Sequence, residues 1–151
     1  MEIEYNNLYT HFVLTTYKRQ PVLREKHRIR IEKYITGIVN NNNSKLYAIF
    51  VNPEHMHILV SRSPSISEQE LATIIADSSE KFINENNFVA GRFMWQQFAS
   101  AFSVSKSAVD NVCKYILNQP EHHKKQSFEM EYQKFIAFYQ EGLKKNLNTK
   151  K

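Results

Sequence analysis

The order of hydrophobic patterns along this 151-residue chain predicts an α+β fold. It is a ferredoxin-like β-α-β-β-α-β antiparallel sheet with additional C-terminal helices. Three observations lead there: aromatic and β-branched runs in four places, 3.6-period apolar stripes between the first and second and between the third and fourth of them, and a tight Asn52-Pro53 turn joining the middle two.

Tyr9 to Tyr17 (YTHFVLTTY) reads as the first strand. Ile31, Tyr34, Ile35 and Ile38 recur at i, i+3, i+4, i+7, which predicts an amphipathic helix over 24–39, ended by the Asn40–Ser44 run. Lys45 to Val51 and Glu54 to Ser61 are the paired strands of a hairpin. Ser67 with Glu70 three residues later is a capping-box pattern opening a second helix, whose apolar face carries Leu71, Ile74, Ile75, Phe82 and Ile83. The Asn84–Asn87 run is expected to end it. Arg92 to Val104 reads as a long aromatic strand containing Trp95. Ser105 or Ser107 can cap a helix running to about Gln119, before Pro120. A last helix is expected from Phe128 to Leu143, giving one domain over 1–143 and a polar tail over 144–151.

Composition bounds the function. With 42% apolar and 13% aromatic residues and only 3 Gly and 4 Pro, the chain is globular rather than low-complexity. A single cysteine, Cys113, excludes an internal disulfide framework and a cysteine-based zinc site. No apolar run is long enough for a bilayer and the acidic Met1–Glu4 start is unlike a signal peptide, so a soluble, cytoplasmic protein is expected. Net charge is +5, from 20 basic and 15 acidic residues, which suits a polyanionic partner such as nucleic acid as well as an ordinary solvated surface.

Chemistry concentrates in Val51-Asn52-Pro53-Glu54-His55-Met56-His57-Ile58-Leu59-Val60. Side chains alternate along a strand, so His55 and His57 share a face, with Cα atoms about 6.6 Å apart, and Met56, Ile58 and Val60 take the other. Two imidazoles so placed could converge on one ion. In the helix before Pro120, Val109, Val112, Cys113, Ile116 and Leu117 form the apolar stripe, and at about 100° per residue Tyr115 falls roughly 130° from its centre. Tyr115 is therefore placed on the polar face with Gln119 one turn on. A phenol needs help to act as a nucleophile, and a cation at the histidines could supply it by orienting a phosphate. The Gln119 amide oxygen is a candidate third ligand. The chain has no phosphate-cradling glycine loop, and its two aspartates, Asp77 and Asp110, form no paired-carboxylate nuclease site.

These residues resemble the single-tyrosine HUH transposases of small bacterial and archaeal insertion sequences. His55-Met56-His57 matches the histidine-hydrophobic-histidine motif, and Tyr115 with Gln119 matches the tyrosine helix with its glutamine. Lys18-Arg19 after the first strand, Trp95-Gln96, Phe102–Ser105 and Gln119–His123 agree as flanking text, so that the similarity runs from about Tyr9 to Leu143. Glu54 stands where Asp or Asn is usual, and Asn52 where a methionine commonly precedes the proline. The resemblance implies that His55, His57 and Gln119 hold a divalent cation, Mg²⁺ or Mn²⁺. It also implies that Tyr115 attacks single-stranded DNA to form a 5′-phosphotyrosine and free a 3′-OH, and that a homodimer acts on hairpins at element ends. In such dimers one subunit's tyrosine can complete the other's histidine site.

Around that centre, Lys18, Arg19, His11, His122, His123 and Lys124 are candidate DNA contacts, although His11 also reads as a structural histidine. Trp95, Phe98 and Phe102 read as packing before base stacking. Competing functions are a catalytically silent hairpin-binding regulator, another HUH nickase of the replication-initiator type, and, more distantly, a zinc hydrolase.

Overall fold

A computed structural model describes residues 1–121, 127–134 and 136–137. The chain divides into two compact units, Met1–Leu117 and Asn118–Lys151. The first contains β1 (Tyr9–Thr15), α1 (Arg28–Asn41), β2 (Lys45–Val51), β3 (His55–Ser61), α2 (Glu68–Glu85), β4 (Ser100–Val104) and α3 (Val109–Leu117). The strands form one sheet in the order β2-β3-β1-β4, every pair antiparallel. That is the ferredoxin-like arrangement expected from the sequence.

The two central strands explain where the core sits. β1 and β3 have a neighbour on each side, and β3 is buried at every position except Ser61. Its alternation then sends residues into two different layers. Phe12, Leu14, Ile49, Val51, Met56, Ile58 and Val60 pack beneath α1 and α2, against Ile31, Ile35, Val39, Leu71, Ile75 and Ile83. Burying each such side chain contributes about 1.5–3 kcal/mol before entropy is subtracted. On the opposite face a smaller cluster of Ala48, Leu59 and Val104 meets Val109 and Ile116 of α3.

Local signals account for most boundaries. Ser67 Oγ accepts the Glu70 backbone N–H at 3.0 Å, which caps α2 as the sequence indicates. The hairpin turn closes through Asn52 N–H donating to the His55 carbonyl at 2.8 Å. A three-residue 3₁₀ turn, Glu25–His27, occupies the expected first turn of α1. A similar turn, Lys106–Ala108, precedes α3, and Ser105 makes no side-chain capping bond there.

The expected strand over Arg92–Val104 is corrected to Ser100–Val104, with one isolated bridge between Thr16 and Trp95. The cause is a side-chain clasp. Asn84, inside α2 rather than beyond its end, accepts the Phe93 N–H at 2.7 Å and donates to the Phe93 carbonyl at 3.1 Å. Both backbone groups that a strand ladder would have used are thereby taken. Trp95 turns inward, and its indole N–H donates to Ser79 Oγ at 3.0 Å. Gly91, at φ +76°, allows the preceding bend.

In the second unit, residues 128–134 and 136–137 are helical, with the Phe128 and Tyr132 rings 5.5 Å apart. The remainder of the expected last helix and the 144–151 tail lie outside the described residues. Among the described residues no helix is long and apolar enough to cross a membrane.

Candidate active site

Register brings the histidines together. β1 pairs with β3 so that Val13 faces His57, Thr15 faces His55 and His11 faces Leu59. His11 and His57 are therefore diagonal neighbours on one sheet face, within reach of each other's side chains. Their nitrogens, Nε2 of His11 and Nδ1 of His57, lie 2.9 Å apart. The His55 and His57 rings are 5.0 Å apart at 84°, as the alternation requires.

This face is not open, contrary to the simplest reading of a half-buried strand. His11, His55 and His57 are 0%, 0% and 2% exposed. A buried polar group must be hydrogen-bonded or it costs stability, and each imidazole has a partner. His55 Nδ1 meets Glu54 Oε1 at 2.7 Å, and its Nε2 meets the Asn52 amide nitrogen at 3.2 Å. The two positions that depart from the familiar motif are thus the two that hold His55. Burial pushes the His11 pKa down to about 4, so His11 is neutral at pH 7.

Tyr115 is corrected from a polar-face residue to a half-buried one. Its ring packs with the Ala48–Leu59–Val104 cluster and stands edge-on to His57, centroids 5.6 Å apart at 89°. Leu117, assigned to the apolar stripe, is 59% exposed. Helical periodicity measures the angle from a stripe but not which flank overhangs the sheet. The Tyr115 flank lies over β3, and the Leu117 flank points away.

The helix expected to reach Gln119 ends at Leu117. Gln119 belongs to the second unit, where it is buried and its amide N–H donates to Glu131 Oε1 at 3.2 Å. That bond assigns the nitrogen end of the amide to Glu131.

Among the expected DNA contacts, Lys18 and Arg19 are exposed in the turn after β1, at φ +55° and +53°. Two consecutive left-handed residues that are not glycine store strain at an exposed basic turn. His11 is corrected: completely buried beside His57, it makes no exposed phosphate contact. His122, His123 and Lys124 lie outside the described residues. Arg28, the first residue of α1, is ion-paired with Glu25 and Glu32. Trp95 is core, whereas Phe98 is 81% exposed, against the expectation of packing. The sequence reading missed the partnership of His11, Glu54 and Asn52 with the histidine pair. For His11 the signal was present only as its place on one face of β1, because the register was unknown.

The family model "Transposase IS200 like" matches residues 4–119. The geometry sets a central-strand histidine pair beside a helix tyrosine, the residues on which the sequence resembles the single-tyrosine HUH class of enzyme. The chain belongs to the IS200-like transposase family and is a transposase of that class. No curated protein matches. Among solved structures, the chain is similar to a protein from Deinococcus radiodurans R1 described as a transposase, at 20% identity and TM-score 0.61, over 79% of this chain and 96% of that one. It is also similar to a REP-associated tyrosine transposase bound to a REP hairpin, at 14% identity and TM-score 0.59, over 82% of this chain and 72% of the other. Both likenesses bear on the fold.

Proposed function

We propose that this transposase cuts and rejoins single-stranded DNA at insertion-sequence ends through Tyr115. The observation that supports this most is the Tyr115 ring standing edge-on to His57, a metal-competent imidazole. The Tyr115 phenol gives up its proton and Oη forms a bond to phosphorus. The bond from phosphorus to the 3′ oxygen breaks, and that oxygen takes up a proton to become a 3′-OH. The 5′-phosphotyrosine left behind conserves the bond energy, so the reverse attack by a 3′-OH rejoins strands without a nucleotide cofactor.

His55 and His57, with the Gln119 amide oxygen, are the proposed ligands of a divalent cation. Two imidazoles and an amide oxygen suit Mn²⁺ better than Mg²⁺, a harder cation that prefers oxygen ligands and would need water and phosphate oxygens to complete its shell. Bound there, the cation would polarise a phosphate oxygen and orient the phosphate for attack. A homodimer acting on DNA with hairpins is the partner state we propose. The hairpin bound by the second similar structure supports that choice of substrate, and the exposed Lys18-Arg19 turn suits backbone phosphates.

The test is incubation of the full chain with single-stranded hairpin DNA and Mg²⁺ or Mn²⁺, followed by denaturing electrophoresis. Wild type is expected to form a covalent adduct that Tyr115→Phe does not form. Equal adducts in both would refute the assignment, and tight binding without cleavage by wild type would favour a silent hairpin-binding regulator.

A further inference from the structure

We propose that Glu54 and His11 are positioning residues that hold His55 and His57 as their Nδ1–H tautomers, presenting both Nε2 atoms to the cation. The inference rests on the metal reading of the histidine pair above and goes further, assigning a role to two residues that the motif does not include.

A neutral imidazole has one N–H and one lone pair, and only the lone pair can bind a cation. At His55 the assignment follows from two contacts. Glu54 Oε1, a carboxylate acceptor, stands 2.7 Å from Nδ1, so Nδ1 carries the hydrogen. The Asn52 amide nitrogen, a donor, stands 3.2 Å from Nε2, where the lone pair must then be. A cation bound at Nε2 would replace that amide N–H as the partner of the lone pair, which would require Asn52 to turn aside.

At His57 the 2.9 Å contact between its Nδ1 and His11 Nε2 allows two arrangements. If His11 donates, His57 carries its hydrogen on Nε2 and cannot coordinate there. If His57 donates, Nε2 becomes the ligand atom and matches His55. The second arrangement gives both motif histidines the same orientation, each with an acceptor behind Nδ1, the pattern that orients metal-ligating histidines generally. The two acceptors differ in charge. Glu54 makes His55 the more basic ligand, while His11 orients His57 without adding negative charge next to the DNA phosphate.

The test reads tautomers directly. Metal-free full-length protein labelled with ¹⁵N-histidine is examined at pH 8 by long-range ¹H–¹⁵N correlation, with assignments from His→Gln variants. His55 and His57 are both expected as Nδ1–H, although free histidine favours Nε2–H; an Nε2–H form at His57 would overturn the proposal. His11→Phe is expected to return His57 to Nε2–H and to weaken Mn²⁺ binding, followed by electron paramagnetic resonance, by about 10–100-fold. His11→Gln, whose amide oxygen can accept from His57, should recover most of that loss. Unchanged tautomer and Mn²⁺ affinity in His11→Phe would also overturn it. If His11→Phe does not fold, the wild-type tautomers decide alone. Tyr115→Phe keeps both tautomers and the Mn²⁺ affinity, so failure of the nucleophile assignment is distinguishable from failure of this one.

Discussion

The two faces of the sheet are built from the same strands and are both buried, yet they are spent on different things. Beneath α1 and α2, Phe12, Leu14, Met56, Ile58 and Val60 form a wholly apolar layer. Beneath α3, the alternate positions of β1 and β3 are His11, His55 and His57 set among Val13 and Leu59. An apolar layer stabilises through contact area and tolerates small shifts. A buried imidazole layer is held by directed hydrogen bonds, each of which must be made or its loss is felt in full. One face carries the fold, and the other uses that rigidity to fix three imidazoles and a phenol.

A pH titration of stability sharpens this contrast most. The His11 pKa is lowered from 6.5 to about 4 by burial. Above pH 6.5 His11 is neutral folded or unfolded and imposes no penalty. Between pH 6.5 and 4 the unfolded chain takes a proton that the folded one refuses, so stability falls as pH falls. The loss reaches about 3 kcal/mol by pH 4. Denaturant unfolding of wild type and His11→Gln across that range should show wild type losing about this much relative to the variant, and parallel curves would contradict it. A smaller effect is expected on the apolar side. Ser67→Ala removes the cap of α2 and should cost about 1 kcal/mol in the same assay, with adduct formation unchanged.

Much of this contrast was legible in the sequence, and what was hidden had physical causes. The bounds of β2, the alternation that pairs His55 with His57, and the Ser67 cap depend on neighbours within a few residues, and each appears as expected. The segment from Arg92 to Trp95 has strand composition, but the Asn84 amide, nine residues away, takes its backbone bonds. His11 needed the β1–β3 register, a long-range fact that no local pattern carries. Tyr115 was placed in the wrong surroundings, because periodicity does not say which flank of α3 faces β3.

Ile58 and His57 are adjacent on β3 and point to opposite faces, so comparing Ile58→Ala with His57→Ala tests the account most directly. Both are measured for unfolding free energy and for covalent adduct formation on hairpin DNA. Ile58→Ala should lose about 2–5 kcal/mol of stability while forming adduct at close to the wild-type rate where it is folded. His57→Ala should remain folded and lose adduct formation by about 100-fold or more. The account is contradicted if His57→Ala forms adduct like wild type, or if adduct formation in both variants merely follows the fraction folded.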